Sequence, residues 1–264
     1  MSDGAETVLI SGASSGIGEE LARVFAGHGH DLILVARNAD KLERLADSLA
    51  DEHGVLVSVR PTDLSLPGAA ENLHKVLRRE ALDVDILVNN AGVLEHGLFA
   101  DIAPEDHQRI VQLNVAGLTD MIAQFLPDML QRESGRIMNV ASIGAFLPVP
   151  TLASYAASKA YVLSLSEALE NELRDSGVTV TALCPGLTHT PMVDQAQEHS
   201  AGFKLPSMVV GDAAAVAREG YRGCMKGTPI VVPGTLNLAS TLASRATPKW
   251  LVRRLSGLLG RSTI

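Results

Sequence analysis

The stretch "TVLISGASSGIGEELARVF", residues 7–25, is typical of a nucleotide-binding α/β fold, because a short apolar run passes directly into a glycine-rich turn and then into a helical pattern. Gly12, Gly16 and Gly18 stand at this turn. Glycines let a backbone approach a pyrophosphate closely, and the N-terminus of the following helix faces the negative charge of that group. The pattern favours a dinucleotide site in the first βαβ unit of the chain, and an ordinary tight turn is the alternative.

Further apolar runs alternate with helix-length segments along the chain. They lie at residues 31–36, 55–59, 85–90, 135–140, 178–184 and 229–233. Nearly continuous apolar strands separated by helices predict a doubly wound α/β fold, with about seven parallel strands and helices on both faces. No repeat or linker divides residues 1–264, so we expect one domain. Within it, the irregular segment 187–228 is predicted to form a substrate lid, and 235–264 a C-terminal helical extension.

The composition limits the classes of function that the chain can have. It has 264 residues, of which 46% are hydrophobic and 20% charged, as in a globular protein. Cys184 and Cys224 lack the spacing of a metal site, so we expect no metal and a reducing, cytoplasmic location. The N-terminus does not resemble a secretory signal, and no apolar run reaches the roughly 20 residues of a spanning helix. The net charge of −8 disfavours general nucleic-acid binding.

The C-terminal part of the chain differs in charge from the rest. After Glu219 the sequence contains seven basic residues and no acidic one. The stretch "TPKWLVRRLSGLLGR" at 247–261 has the spacing of a basic amphipathic helix. Packing on its own domain or on another subunit is the favoured interpretation, and peripheral membrane contact is the alternative.

Two polar residues that follow predicted strands bear on the cofactor. Arg37 follows the second strand, where an acidic residue would bind the ribose hydroxyls of NAD. A guanidinium there can pair with a 2′-phosphate, which favours NADP(H) over NAD(H); a solvent-exposed Arg37 is the alternative. Asp63 follows the third strand and can accept a hydrogen bond from an adenine amino group, or else cap the next helix.

The stretch "YAASK", residues 155–159, puts a phenol and an ammonium one helical turn apart. A phenol with a pKa of about 10 is a poor base at neutral pH, and a neighbouring positive charge favours the phenolate. Together with "GASSGIG", "NNAG" at 89–92, Ser142 and "PGLTHT" at 185–190, the stretch resembles the classical short-chain dehydrogenase/reductase family. The resemblance extends from residue 5 to about 235. Ser11 replaces the usual Thr at the glycine turn, and its hydroxyl should preserve the hydrogen bond.

The resemblance implies a Rossmann-like fold and an oxidoreductase that moves hydride between a nicotinamide cofactor and a carbonyl or secondary alcohol. Arg37 favours NADP(H) as that cofactor, and the apolar residues expected around the substrate favour a hydrophobic one. It implies that Tyr155 is the general acid or base, that Lys159 activates it and holds the nicotinamide ribose, and that Ser142 binds the substrate carbonyl. Asn114 would hold a water linked to Lys159. A homodimer or homotetramer is expected, and a non-catalytic NADP(H) sensor or scaffold on the same fold is the alternative.

The resemblance also implies a set of binding residues. Those for the cofactor are Gly12, Ser14, Ser15, Gly16, Ile17, Gly18, Arg37, Asp63, Asn90, Ala91, Gly92, Tyr155, Lys159, Pro185, Gly186, Thr188 and Thr190. Those for the substrate are Ser142, Ile143, Phe146, Tyr155, Leu187 and Met192, in an apolar pocket that Val93, Leu94, Leu147, Val149 and Val193 complete. Asn90 is expected to bond to the neighbouring strand.

Overall fold

A computed structural model describes residues 4–192, 211–234 and 237. These residues form a seven-stranded sheet with the order β3-β2-β1-β4-β5-β6-β7, and each neighbouring pair is parallel. The strands are Thr7–Ser11 (β1), Asp31–Ala36 (β2), Val57–Pro61 (β3), Ile86–Asn89 (β4), Gly135–Val140 (β5), Val178–Leu183 (β6) and Ile230–Val231 (β7). The predicted doubly wound fold is confirmed. The strand order reverses between β1 and β4, which is where sheets of this type bind ligands.

Helices cover both faces of this sheet. They are Gly16–Gly27 (α1), Ala39–His53 (α2), Ala69–Arg79 (α3), Pro104–Val111 (α4), Leu118–Gln131 (α5), Ala153–Glu172 (α6) and Ala213–Met225 (α7). A π-helical segment, Gln112–Gly117, joins α4 to α5. One apolar core lies between the sheet and α3, α5 and α6, and the other lies between the sheet and α1, α2 and α7. Because both faces are buried, most strands are apolar at successive positions rather than alternating.

The third strand begins later than its apolar run predicts, at Val57 rather than at 55. Gly54 ends α2 in the left-handed conformation, with φ +68°. Leu56 then donates its backbone N–H to the carboxylate of Asp31 at 3.0 Å. A side chain therefore takes the place of a strand–strand bond at this position.

Helix α7 lies inside the segment predicted to be a lid. Its Val216 and Ala217 are buried in the same core as Leu21 and Phe25 of α1, and the carboxylate of Asp212 accepts hydrogen bonds from the first turn of α7. The lid prediction for 187–228 is therefore wrong for 213–225, because this helix covers the sheet. Residues 193–210, with the predicted pocket residue Val193, lie outside the described part of the chain, as does the predicted extension 235–264 apart from residue 237.

No helix among the described residues is long and apolar enough to cross a membrane. The same residues contain no group of three or more His, Cys, Asp or Glu side chains arranged to bind a metal ion.

Candidate active site

The glycine-rich turn between β1 and α1 exposes backbone donors. Gly12 and Gly16 adopt φ values of +67° and +59°, a region that side chains disfavour. A Cβ on Gly12 would lie 2.8 Å from the Cα of Ala91, so a side chain there would force the two segments apart. Ser15, the N-cap of α1, makes no side-chain capping bond. The first N–H groups of α1 are thus free of a side-chain cap, and the helix dipole adds positive potential, as an anion site requires.

Hydrogen bonds join this turn to the end of β4. The Asn90 side chain donates from Nδ2 to the carbonyl oxygens of Ser11 at 3.0 Å and Gly12 at 3.1 Å, as predicted. Ser11 Oγ accepts from the backbone N–H groups of Asn90 and Ala91, at 3.0 and 3.1 Å. The serine hydroxyl therefore makes the bonds expected of it. Together these bonds fix the two loops that meet where the strand order reverses.

Basic side chains line the cavity beyond the end of β2. Arg37 lies there with its side chain exposed to solvent, and Lys41, to which the sequence did not point, lies there too. The signal for Lys41 was its place four residues after Arg37, at the first turn of α2. Asn38 caps that helix by accepting a hydrogen bond from the Lys41 N–H at 2.9 Å. This bond fixes the direction of the first turn of α2 relative to β2. Two cations thus border this end of the cavity, where they could bind an anionic group.

Asp63 also lines the cavity, but it does not cap α3. That helix begins at Ala69, with Gly68 as its N-cap. One carboxylate oxygen of Asp63 accepts from the backbone N–H of Ser65 at 3.0 Å and from its hydroxyl at 2.6 Å. Burial alone would raise the pKa of Asp63, but the bonds from Ser65 and the charge of Arg37 outweigh it, so the pKa is lowered. The capping alternative is wrong, and the carboxylate lies in the wall of the cavity.

Ser142, Tyr155 and Lys159 border the same cavity from the other side. Ser142 follows β5, and its hydroxyl accepts from the Gly144 N–H at 3.1 Å. Lys159 is 5% exposed and donates from Nζ to the Val140 carbonyl at 2.8 Å. Its Nζ lies 5.7 Å from the centre of the Tyr155 ring. The sequence separates Ser142 from Tyr155 by 13 positions, and the fold brings them together.

The electrostatics of this group correct one expectation. Burial raises the pKa of the Tyr155 phenol, and a hydrogen bond with Ser142 only partly opposes the rise. Burial lowers the pKa of Lys159 to about 8, with the nearby Cys184 acting in the opposite direction. The expected net lowering of the Tyr155 pKa by Lys159 is therefore absent. The phenol is kept protonated, which suits a proton donor better than a base.

Asn114 lies in the π-helical segment between α4 and α5. Its Oδ1 accepts from the Val93 N–H at 2.9 Å, and its Nδ2 donates to the Val93 carbonyl at 2.9 Å and to Ser158 Oγ at 3.1 Å. Asn114 is 1% exposed and does not line the cavity. A Cβ on Gly92 would lie 3.2 Å from Asn114 Oδ1 and 3.5 Å from Lys159 Nζ, so both atoms lie close to this glycine. The structure thus shows Asn114 supporting the loop that forms one wall.

The cavity between these two sides encloses about 770 Å³. Gly18, like Asn114, does not line this cavity. The other predicted binding residues among those described do line it: Gly12, Ser14, Ser15, Gly16, Ile17, Arg37, Asp63, Asn90, Ala91, Gly92, Val93, Leu94, Ser142, Ile143, Phe146, Leu147, Val149, Tyr155, Lys159, Pro185, Gly186, Leu187, Thr188, Thr190 and Met192.

An ion pair that the sequence did not predict lies in the wall of the cavity, between Arg109 of α4 and Glu95 in the loop after β4. The two residues are 14 positions apart, and only the fold shows that they meet.

Comparison with known proteins identifies the family. A family model described as short chain dehydrogenase matches residues 6–201. The chain belongs to the short-chain dehydrogenase/reductase family. The resemblance drawn from the sequence motifs is confirmed. Among its relatives in this family, oxidoreductase UcpA of Salmonella typhimurium is 37% identical over 196 residues, which is 74% of either chain.

Solved structures of short-chain dehydrogenases resemble the chain over most of its length. A short-chain dehydrogenase from Sphingobium yanoikuyae in complex with NADPH has a TM-score of 0.80 and 36% identity, and the match covers 87% of this chain and 88% of that one. A bulky-bulky ketone specific alcohol dehydrogenase from Comamonas testosteroni has a TM-score of 0.77 and 30% identity, with 91% and 92% covered. Membership of this family makes the chain an oxidoreductase with a nicotinamide cofactor that acts on CH–OH or C=O groups.

Proposed function

We propose that the protein is an NADP(H)-dependent reductase of bulky, hydrophobic ketones or aldehydes, which also oxidises the corresponding secondary alcohols. One observation carries this proposal. A single continuous cavity joins the anion-binding turn before α1 and the cations Arg37 and Lys41 to the Ser142–Tyr155 pair. A dinucleotide has its phosphates at one end of such a space and its nicotinamide at the other.

The residues present fit this cofactor. The left-handed glycines leave the turn open to a pyrophosphate, and Asn90 holds that turn against β4. Arg37 and Lys41 would contact the 2′-phosphate, since a guanidinium and an ammonium both donate to phosphate oxygens. Asp63, kept ionised by its bonds from Ser65, would accept from the adenine amino group. When bound, NADPH supplies the hydride for the carbonyl carbon.

Residues of the chain supply the remaining chemistry. Ser142 would donate a hydrogen bond to the substrate carbonyl oxygen and orient it toward Tyr155. The Tyr155 phenol would transfer its proton to that oxygen as the oxygen gains negative charge. Lys159, whose pKa of about 8 keeps a large share of the side chain protonated at neutral pH, would hold the nicotinamide ribose and stabilise the phenolate left behind. Asn114 contributes through the loop it holds at Val93.

The substrate class follows from the lining near Tyr155. Apolar side chains dominate there: Val93, Leu94, Ile143, Phe146, Leu147, Val149, Leu187 and Met192. Burial of apolar groups of the substrate stabilises the complex by about 25 cal/mol for each Å². The Comamonas relative is specific for bulky-bulky ketones, which agrees with a wide apolar pocket. We therefore favour ketones with large groups on both sides of the carbonyl.

A panel of carbonyl compounds tests this function. Purified protein is mixed with NADPH and with ketones graded from small to bulky, and the loss of reduced-nicotinamide absorbance is followed. We expect kcat/KM to rise with the apolar size of the substrate. The same panel with NADH gives the cofactor preference. Absence of turnover with every carbonyl, despite measurable NADPH binding, would support the non-catalytic sensor instead.

A further inference from the structure

A line of hydrogen-bonded polar side chains crosses the apolar core beneath the catalytic group. Asn89 of β4 donates from Nδ2 to Asn139 Oδ1 of β5 at 2.9 Å. Asn139 donates from Nδ2 to Ser166 Oγ of α6 at 2.9 Å. Ser166 Oγ in turn donates to the Val162 carbonyl at 2.7 Å. The exposed fractions of Asn89, Asn139 and Ser166 are 3%, 0% and 2%, so the line is shielded from water.

The surroundings of this line are otherwise apolar. Ile137 on β5, Val180 on β6 and Leu163 on α6 belong to the core that encloses it. Asn89 and Asn139 are directly paired across β4 and β5, so their side chains share one face of the sheet. A buried amide costs free energy unless it is hydrogen-bonded, and these bonds form only in one arrangement of the three elements. A hydrogen-bonded polar line adds directional contacts to the apolar packing and so makes this arrangement more rigid.

The line meets α6 on the same helix face as the catalytic residues. Ser166 follows Lys159 by seven positions and Tyr155 by eleven, which are two and about three helical turns. Lys159 bonds to the carbonyl of Val140, the residue next to Asn139 in β5. Consecutive residues of one strand therefore hold α6 at two points. Ser142 lies only two residues further along the chain.

We propose that Asn139 and Ser166 are positioning residues of the reaction. Their bond fixes α6 along and around its axis relative to β5, and so sets the place of the Tyr155 hydroxyl relative to Ser142. Lys159 holds α6 to the same strand through the Val140 carbonyl, and Asn114 holds the helix through Ser158. The Asn139 bond adds a point of attachment further along the helix. This inference rests on the proposed function, since it concerns the rate of proton and hydride transfer.

Replacement of Ser166 by Ala tests the role. The variant lacks the hydroxyl that Asn139 contacts but keeps every group that borders the cavity. Displacement of a reacting group by about 1 Å can lower a rate 100-fold, so we expect kcat with a bulky ketone to fall roughly 10- to 100-fold. The KM for NADPH should change much less. Rates are divided by the concentration of NADPH-binding sites, which removes the effect of unfolded protein.

Two further variants serve as controls. Ser164→Ala makes the same change at an exposed position of α6 and should match the wild type. Ser166→Thr keeps the hydroxyl and should recover most of kcat, which a loss of packing alone would not explain. If Ser166→Ala does not fold, Ser166→Cys fills nearly the same space with a weak hydrogen-bonding group and should show the same loss of kcat.

The outcomes separate this inference from the proposed function. A wild type that reduces no carbonyl would refute the proposed function. A wild type that is active, with kcat per binding site unchanged in Ser166→Ala or Ser166→Cys, would overturn the positioning role alone. A loss of kcat in Ser166→Ala that Ser166→Thr restores would support it.

Discussion

Gly18→Ala should disrupt the cofactor site, because Gly18 packs against Gly12 and Asn90, which line the cavity. A Cβ at this position would lie 2.9 Å from the Gly12 carbonyl carbon, and closer still to the Gly12 carbonyl oxygen and to Asn90 Nδ2. Relief of this overlap moves α1 or breaks the two bonds that Asn90 Nδ2 donates to Ser11 and Gly12. Overpacking costs about 1–3 kcal/mol, and each lost bond costs about 1 kcal/mol.

We therefore expect Gly18→Ala to lower the free energy of unfolding by about 3–5 kcal/mol and to weaken NADPH binding about tenfold or more. Gly27→Ala is the matched control, because a Cβ there would lie 3.8 Å from the nearest atom, in His53. It should stay within about 0.5 kcal/mol of the wild type. Urea unfolding and NADPH titration by fluorescence measure both quantities. A Gly18→Ala protein as stable and as tightly NADPH-binding as Gly27→Ala would refute the close-packing argument.

Two further predictions concern the cofactor and pH. Arg37→Asp should weaken NADPH binding about 10- to 100-fold and shift preference toward NADH, because a charge-assisted bond of about 1.5–3 kcal/mol is lost. The control Arg44→Asp makes the same change on an exposed part of α2 and should leave NADPH binding and cofactor preference unchanged. Equal kcat/KM of the wild type with NADPH and NADH would contradict the assignment of Arg37. Burial lowers the pKa of His30, and smaller effects of Glu6 oppose this. The contribution of His30 to the free energy of unfolding is therefore fully present above the ordinary imidazole pKa of about 6.5, and it is lost as pH falls through the lowered pKa of the folded state. As pH is lowered through this range, the urea midpoint of the wild type should decrease, and that of His30→Gln should decrease less. If the two plots of midpoint against pH are parallel, His30 has no part in the pH dependence.

The sequence predicted the sheet well because buried parallel strands have nearly continuous apolar runs. It also predicted that Arg37 and Ser142 follow strands that end at one edge of the sheet, where the cavity lies, and their roles there stay predictions. It did not predict α7 as a covering helix, because that helix lies within the irregular segment 187–228.

Other features depended on contacts between distant parts of the chain. Asn114, in the π-helical segment, makes hydrogen bonds to the backbone of Val93, which is 21 positions away in the sequence. The raised pKa of Tyr155 depends on burial, which the local pattern "YAASK" does not show. The basic helix predicted at 247–261 lies outside the described residues, so its packing on protein or membrane stays a prediction, as do the oligomeric state and the cytoplasmic location.

The rate of NADPH-dependent ketone reduction by Tyr155→Phe shows whether Tyr155 supplies the proton. Phe keeps the ring but removes the proton donor, and general acid catalysis contributes about 10²–10⁴-fold to such rates. We predict that the variant binds NADPH with nearly the wild-type Kd and loses kcat by that factor or more. Turnover close to the wild type would mean that Tyr155 is not the source of the proton.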